Sequence, residues 1–396
     1  MITKAEILAL STHLNLLNTI VQKDYVIGWL LRGFSQHGVL SEWIFKGGTC
    51  LKKCYFETYR FSEDLDFTVP AHQKIDVPFL ETHLNEMAEW VESNCGLTFP
   101  REVWKIEAYE NTRGKMSYQV KLPFSGPLGL SKNQLQRVKL DITQDELLVS
   151  QPVRRNLHHD YSDKTMPMSE VLCYSIEEVL AEKTRALFER SGRARDVYDV
   201  VNISRHFRSE IDPDQVIHIA KEKFRFKGIS EPTVDLIMNS LDIATLGANW
   251  KHQLAHQINL LPAVETFIED LSDALAWWLE PKKAKPDLQQ NPSAVGRLME
   301  RVMFPEVSVQ RGLSAMDQIR YAARNRFCAV VSYHGSTRLV IPYSVRYPSA
   351  GNPLLHAWEL MNDGKAINDH RAYKIDEITE ASVSTETFVP KWSVEL

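Results

Sequence analysis

The stretch WIFKGGTCLKKCYFETYRFSEDLDFTV, residues 43–69, decides how the chain folds. Its pattern predicts an apolar strand at 43–45, a glycine turn, a short helix, a loop and a second strand at 64–69. Because side chains alternate between the two faces of a strand, Asp64 and Asp66 share one face while the apolar residues between them face a core. Two carboxylates therefore lie side by side on the exposed face of the second strand.

A glycine turn directly follows the first of these strands. Gly47, Gly48 and Thr49 stand where a helix begins, and the backbone N–H groups of such a turn bind phosphate. Lys46, the residue before the turn, is positively charged and belongs to the same predicted nucleotide-binding segment. A phosphate-binding turn beside paired carboxylates indicates a site for a metal ion and a nucleotide.

A third carboxylate, Asp141, is expected on a neighbouring strand. In RVKLDI, residues 137–142, apolar side chains alternate with Lys139 and Asp141. Hard oxygen ligands suit Mg²⁺, so Asp64, Asp66 and Asp141 are the predicted metal ligands. A pair of metal ions at such a site promotes attack of a hydroxyl on a nucleoside triphosphate with loss of pyrophosphate. The alternative for Asp141 is a surface carboxylate near a strand end.

The second half of the chain is predicted to be helical. Ser175 and Glu178 form a capping box that starts a helix, and a glycine ends it. Lys183 and Arg190 lie on a common side of this helix, and Asp196 follows directly after the break. We predict that Lys183 neutralises phosphate charge and that Arg190 contacts the nucleotide. The alternative for Lys183 is an ordinary solvated lysine.

The composition is that of a globular protein with two or three domains. Hydrophobic residues make up 44% of the 396 residues, and no apolar run reaches the roughly 20 residues of a membrane helix. A net charge of −5 argues against a generally basic nucleic-acid-binding surface. The five cysteines are odd in number and scattered, which predicts neither a disulfide framework nor a zinc site in a reduced, cytoplasmic protein. Lys23 and Asp24 are expected on a solvated helix turn.

Four segments are predicted along the chain. They are 1–165 as the catalytic core, 166–280 as a helical region that completes the site, 281–312 as a linker and 313–396 as a β module. The linker prediction depends on a polar, proline-broken stretch. Beyond it, short alternating strands separated by turns predict a small β-barrel-like module. The predicted fold class is therefore α+β with a helical second half.

Four blocks of the sequence, in this order and spacing, resemble the AbiEii/AbiGii-type toxin nucleotidyltransferases, which include the MenT toxins, within the DNA polymerase β-like superfamily. The blocks are FKGGTCLKKCY at 45–55, RFSEDLDF at 60–67, SIEEVLAEKTRAL at 175–187 and RARDVYDV at 193–200. The resemblance covers roughly residues 1–275. It implies a polymerase β-like nucleotidyltransferase core, built as a mixed sheet with flanking helices.

The resemblance also implies roles for particular residues. The residues that match catalytic positions of the family are Asp64, Asp66, Asp141, Lys183 and Asp196. Gly47, Gly48 and Thr49 match its glycine turn, with threonine in place of the usual serine of the superfamily. Ser62 corresponds to a serine that can receive phosphate in some relatives, and its alternative role is a loop hydroxyl that caps the turn.

The function implied by the resemblance is that of a toxin in a toxin–antitoxin or phage-defence system. Such an enzyme uses Mg²⁺ and two-metal catalysis to transfer nucleotides from an NTP to RNA, with transfer RNA as the expected acceptor and a cognate antitoxin protein as partner. Two alternatives stay open: a transferase that acts on a protein or small molecule, and a non-enzymatic NTP-binding regulator with a nucleic-acid-binding C-terminal domain. No membrane association is expected.

The C-terminal segment resembles a WYL-like domain, a small barrel that binds nucleic-acid or nucleotide ligands in bacterial defence regulators. The resemblance places Tyr333, Arg338, His356 and Arg371 in a ligand pocket. The Trp-Tyr-Leu signature itself is absent from the sequence, and HAW stands near its place. The alternative is an arginine-rich barrel that only contacts the first domain or another protomer.

Overall fold

The computed structural model forms two compact units. The first comprises Met1–Glu182, Arg225–Ile229 and His252–Asn259, and the second comprises Lys183–Phe224, Ser230–Lys251 and Leu260–Leu396. The structure describes residues 1–14, 16–56, 59–110, 114–129, 135–164, 169–258, 261–280, 314–346, 352–391 and 394–396. The predicted linker at 281–312 lies outside the described residues, and the four predicted segments stay predictions.

A mixed sheet forms the centre of the first unit. Its described strands are β1 Ile44–Lys46, β2 Asp64–Thr68, β3 Lys105–Glu110, β4 Met116–Phe124, β5 Gln136–Thr143, β6 Val153–Asn156 and β7 Glu170–Cys173, in the spatial order β3-β4-β5-β2-β1-β7-β6. The pairs β2–β5 and β1–β7 are parallel, and the other pairs are antiparallel. The α+β class and the mixed sheet predicted for the core are confirmed.

One face of this sheet is apolar and carries the core. Its strand residues include Leu65, Val120 and Leu140, all fully buried, as the alternation of each strand predicts. The helices of the first unit are α1 Lys4–Leu14, α2 Asn18–Gln36, α3 Gly47–Cys50 with a π-helical turn Leu51–Tyr55, and α4 Val77–Cys95. Phe34 of α2 stacks on Phe67 of β2 with ring centroids 4.5 Å apart. The opposite face of the sheet is thereby left to polar side chains.

A buried ion pair joins α2 to the π-helical turn. Asp24 accepts hydrogen bonds from Nζ of Lys53 at 2.7 Å and from the hydroxyl of Tyr161 at 2.9 Å. Burial alone raises the pKa of Asp24, but Lys53 and its neighbour Lys52 lower it below its ordinary value. The expectation that Asp24 lies on a solvated turn is wrong, because this carboxylate is needed to compensate a lysine ammonium inside the core. Lys23 instead pairs with Glu63 at 2.8 Å.

Three of the five cysteines converge in the first unit. All five are buried free thiols, and the sulfur atoms of Cys50, Cys54 and Cys173 lie within 4.8 Å of one another. Hydrogen bonds from the other two thiols lower the pKa of Cys173 to about 4, whereas burial raises the pKa of Cys50 and Cys54. Cys173 is far from the other two in sequence, and the pairing of β1 with β7 brings it beside the helix that carries them.

The second unit begins with the end of α5, Ile176–Glu189, and contains a group of helices. These are α6 Ala194–Phe207, α7 Pro213–Phe226, α8 Val234–Asn239, α9 Ile243–Leu254 and α10 Val264–Leu279, of which the ends of α7 and α9 belong to the first unit. Arg205 near the end of α6 pairs with Asp270 on α10 at 2.7 Å, and Arg208, the residue directly after α6, pairs with Asp273 on α10 at 3.0 Å. The two helices are therefore held in register by charge as well as by apolar packing.

An antiparallel sheet completes the second unit. Its described strands are β8 Phe327–Tyr333, β9 Ser336–Arg346, β10 Leu354–Asn362, β11 Lys365–Lys374 and β12 Ile378–Thr387, in the order β11-β10-β9-β8-β12. The helix α11, Ala315–Arg324, contributes three buried side chains, Ile319, Ala322 and Ala323. The predicted barrel is wrong: β11 and β12 are the two edges of an open sheet. The polar residues of β11 are mostly exposed, as is typical of an edge strand.

None of the helices in the described part of the chain is long and apolar enough to cross a membrane.

Candidate active site

A row of polar side chains crosses four strands of the first unit. Lys46, Asp66, Asp141 and Gln119 are successive register partners on β1, β2, β5 and β4. Register partners on neighbouring strands share one face of a sheet, with strands about 4.8 Å apart. The structure therefore brings two of the predicted metal ligands, Asp66 and Asp141, next to each other, with Lys46 beside them.

Lys139 supplies a positive charge among the predicted carboxylates. It is the register partner of Asp64, and its Nζ lies 2.6 Å from Oδ2 of Asp141. Burial alone lowers the pKa of Lys139, but Asp141, Asp64 and Asp66 raise it above its ordinary value. Burial also raises the pKa of Asp64, against the opposing effect of Lys139. From the sequence, Lys139 was predicted only on the polar face of β5, although its alternation with Asp141 was the signal for a role here.

The glycine turn contacts the carboxylate face directly. Gly47 has φ of +81°, and a Cβ at this position would collide with Oδ2 of Asp66. A Cβ at Gly48 would collide with the guanidinium of Arg60 and would lie 3.3 Å from Oγ of Ser62. Neither glycine could carry a side chain, because its neighbours lie too close. The turn is therefore in direct contact with the Asp66 carboxylate and with the loop that carries Arg60 and Ser62. The loop residue Ser62 lies next to the turn, and its predicted role stays a prediction.

Arg60 is a site residue that sequence reasoning missed. Its side chain is buried against Gly48, and Nη1 donates a hydrogen bond to Oε1 of Gln257 at 3.1 Å. The backbone N–H of Phe61 donates to the carbonyl of the same glutamine at 2.9 Å. The signal available was its place two residues before Ser62 in the block RFSEDLDF. Arg60 thereby brings a buried positive charge to the predicted phosphate-binding turn.

Lys46 and Thr49 make specific contacts within the first unit. Nζ of Lys46 lies 3.3 Å from a carboxylate oxygen of Glu146 and 3.9 Å from one of Glu182. Burial alone lowers the pKa of Lys46, but Glu182, Tyr174, Glu146 and Asp66 raise it, so the side chain is a cation. The hydroxyl of Thr49 is buried and donates to the backbone carbonyl of Asp64. Thr49 thus joins the helix that begins at the turn to the strand that carries Asp64.

A second group of predicted residues meets within the second unit. Nζ of Lys183 lies 3.3 Å from Oδ1 of Asp196 and 2.8 Å from Oδ2 of Asp199, and Nη1 of Arg190 lies 3.3 Å from Oδ2 of Asp196. Both aspartates are buried, whereas the Arg190 side chain is about half exposed. Asp199 was missed, although its spacing of three residues from Asp196 places both on one face of α6. Lys183 is therefore a nearly buried ammonium between two carboxylates rather than a solvated lysine.

In the C-terminal sheet, two of the four predicted pocket residues, Arg338 and Arg371, lie against the buried Glu359. Arg338 pairs with Glu359 at 3.0 Å, Arg371 lies 3.6 Å from it, and the hydroxyl of Tyr373 donates to it at 2.8 Å. The guanidinium of Arg338 lies 5.5 Å from the ring centre of Tyr333.

The fourth predicted pocket residue, His356, is placed apart from the other three. His356 is three residues before Glu359 on β10. Because side chains alternate along a strand, its side chain points to the face opposite that of Glu359. There its ring stacks on His370 at 5.3 Å. The structure therefore does not bring His356 together with Tyr333, Arg338 and Arg371.

The sheet is mixed, with a glycine turn directly after β1 and aspartates on β2 and β5, the next two strands in the sheet. This arrangement fits a nucleotidyltransferase core. Within that class, the family model described as nucleotidyl transferase AbiEii toxin of the type IV toxin–antitoxin system matches residues 29–280. The chain belongs to this family of AbiEii toxin nucleotidyltransferases, which confirms the AbiEii part of the predicted resemblance and the prediction of an enzyme. Membership implies an antitoxin partner and a nucleotide substrate. A comparison with curated proteins found no match.

The family match ends at residue 280, before the C-terminal sheet. The resemblance of that segment to a WYL-like domain therefore stays a prediction.

Proposed function

We propose that this toxin is a Mg²⁺-dependent nucleotidyltransferase that transfers a nucleotide from an NTP to RNA, with transfer RNA as the expected acceptor. The observation that carries the proposal is the position of Asp66 and Asp141 at one register of two parallel strands, with Gly47 against Asp66. Family membership supports the transfer chemistry and the toxin role. The metal requirement, the RNA acceptor and a place in phage defence are the proposed steps.

The residues present fit a magnesium site. Asp64, Asp66 and Asp141 offer hard carboxylate oxygens from one face of the sheet, which is the ligand type that Mg²⁺ prefers. Because Gly47 has no side chain, the turn lies directly against Oδ2 of Asp66. These three aspartates would hold the metal, which when bound supplies charge neutralisation for the phosphates and the two reacting oxygens.

The protein groups have separate tasks in the proposed reaction. The attacking hydroxyl forms a bond to the α-phosphorus while the bond to pyrophosphate breaks, and Asp141 accepts the proton of the hydroxyl. The backbone N–H groups of Gly48 and Thr49 orient the triphosphate, and Arg60 places a cation behind them. Lys139 compensates the negative charge of the carboxylates between turnovers. Lys183 is the proposed phosphate-neutralising lysine of the second unit.

A row of lysines supports a polyanionic acceptor. Lys105, Lys121 and Lys139 are register partners on β3, β4 and β5, on the same face as the carboxylates. The row ends beside Asp64, the register partner of Lys139. Lys121 pairs with Glu107 at 3.2 Å, and Lys105 is exposed. Positive charges spaced about 4.8 Å apart across strands suit a nucleic-acid backbone better than a small neutral acceptor.

A labelling experiment tests the proposal. The protein is incubated with labelled NTPs and total RNA, with and without Mg²⁺, alongside Asp66→Asn and the exposed control Asp160→Asn. We expect label in RNA for the wild type and the control, and a loss of about 100-fold or more in Asp66→Asn, as when a transition-state contact is removed. Label in protein or small molecules overturns the RNA acceptor. NTP binding without any transfer supports the regulator instead.

We also propose ligand binding by the WYL-like sheet around Tyr333, Arg338 and Arg371. The support is the cluster of two guanidinium groups and an aromatic ring on one face. Nucleotide and RNA binding by the full chain is compared with that of Arg371→Ala, whose side chain is half exposed. Equal binding with undiminished transfer overturns a ligand role and favours a contact surface.

A further inference from the structure

The three converging cysteines come from two separate elements. Cys50 and Cys54 are four residues apart in the helical segment that runs from Gly47 to Tyr55, so both face the same side. Cys173 is at the end of β7 and is the register partner of Phe45 on the parallel strand β1. Each cysteine is at most 1% exposed. The parallel pairing of β1 and β7 therefore places the thiol of Cys173 beside the helix that begins at the glycine turn.

A cationic side chain lies next to this group of thiols. Nε of Arg155 donates to the backbone carbonyl of Cys54 at 3.2 Å, and its guanidinium lies 4.6 Å from the ring centre of Tyr55. A buried cluster of thiolates is costly unless a positive charge compensates it. Arg155 provides a charge of the required sign beside three potential sulfur ligands.

We propose that Cys50, Cys54 and Cys173 bind a soft metal ion through three thiolates. Thiolate ligands select ions such as Cu(I) and Zn(II) over Mg²⁺. This site is separate in chemistry from the carboxylate site, where oxygen ligands are required. A bound ion would tie β7 to the helix that follows Gly48, so it would hold the turn in place without taking part in the transfer reaction.

A second group with ligand-type side chains does not support a site. His37, His83 and Glu86 also lie close together. However, Nδ1 of His37 accepts hydrogen bonds from the backbone N–H groups of Val39 and Leu40, at 3.1 and 3.2 Å. The neutral imidazole then carries its proton on Nε2, which faces Glu86 at 2.9 Å. Neither ring nitrogen of His37 has a lone pair left for a metal, in contrast to the three sulfurs.

Metal titration of the full-length reduced protein tests the proposal. Cu(I) and Zn(II) are added separately, in competition with a chromophoric chelator, and the thiolate-to-metal charge-transfer absorbance is followed. We expect one ion per chain with release of protons from the thiols. Cys50→Ala and Cys173→Ala should each weaken binding by more than about 100-fold, beyond the effect of outer-shell changes. Cys328→Ala, a buried free thiol outside the group, is the matched control.

X-ray absorption of the loaded wild type keeps the test independent of whether the variants fold. Three sulfur neighbours around the ion support the proposal. Absence of one-to-one binding for both ions, a shell of nitrogen and oxygen, or equal weakening in Cys328→Ala overturns it. Because no step of the test measures nucleotide transfer, its failure is distinguishable from failure of the proposed transferase function.

Discussion

Asp66 and Asp141 are register partners on β2 and β5, two parallel strands that are adjacent in the sheet although α4, β3 and β4 lie between them in sequence. Parallel strands need a crossover connection, and here α4 and the β3–β4 hairpin provide it. The register places both carboxylates on one face, whereas a shift of one residue would bury one of them. The proposed metal site thus depends on how the crossover sets this pairing.

Gly47→Ala is expected to abolish most of the transfer activity. The substitution places a Cβ against Oδ2 of Asp66 and forces a left-handed backbone at φ +81°, so the carboxylate must move. Gly129→Ala is the matched control, since Gly129 also has positive φ, +64°, but open space around it. Both variants should lose about 1–2 kcal/mol of stability from the backbone alone. Equal transfer rates for the two variants in the labelling assay would contradict a role for the contact with Asp66.

Lys183→Met is expected to destabilise the second unit by about 3–5 kcal/mol, because it removes the ammonium between two buried carboxylates. Lys221→Met, on the exposed pair with Glu231, should change stability by less than about 0.5 kcal/mol. Urea denaturation measures both. Adding Asp199→Asn to Lys183→Met should restore part of the stability but no transfer activity. Full activity in that double variant would show that Lys183 has a structural role only.

Glu359→Gln is expected to destabilise the C-terminal sheet by about 2–3 kcal/mol, since it leaves the guanidinium of Arg338 beside a neutral amide in a buried place. Glu380→Gln on β12 of the same sheet is exposed and serves as the control. Thermal unfolding followed by circular dichroism compares the variants. Equal midpoints for the two would mean that the Glu359 network contributes little to folding.

The stability of the first unit is expected to fall as the pH drops from 7 to 5. Burial lowers the pKa of His159 below the value of about 6.5 in the unfolded chain, so the unfolded state binds a proton that the folded state excludes. His159→Gln removes this contribution, and the exposed His218→Gln should leave the profile as it is. The measured quantity is the difference in unfolding free energy between pH 7 and pH 5. A decrease as large in His159→Gln as in the wild type would contradict the assignment.

Alternation along single strands was enough to predict the polar face of the sheet. The strand predicted at 64–69 is observed at Asp64–Thr68, and Asp141 lies on the polar face of β5 as its pattern requires. Such predictions depend only on neighbours in sequence. The turn at Gly47 was also predicted, because a pair of glycines directly after a strand is a strong local signal for a turn.

Contacts between distant segments could not be predicted in the same way. Arg60 reaches Gln257, and Cys173 reaches Cys50, through pairings that no local pattern encodes. Closure of the C-terminal strands into a barrel also depends on which edges pair, and alternation is the same in open and closed sheets. Asp199 is different, because its spacing from Asp196 was visible and only its burial was not.

The first unit takes its last segment, His252–Asn259, from a part of the chain that is synthesised long after Asp66 and Asp141. Gln257 in this segment binds both the side chain of Arg60 and the backbone of Phe61. A ribosome adds about 5–20 residues per second, so the nascent toxin has its carboxylate strands several seconds before it has these loop contacts. During translation, the strands with Asp66 and Asp141 are therefore present before the contacts of Gln257 that hold the loop with Arg60.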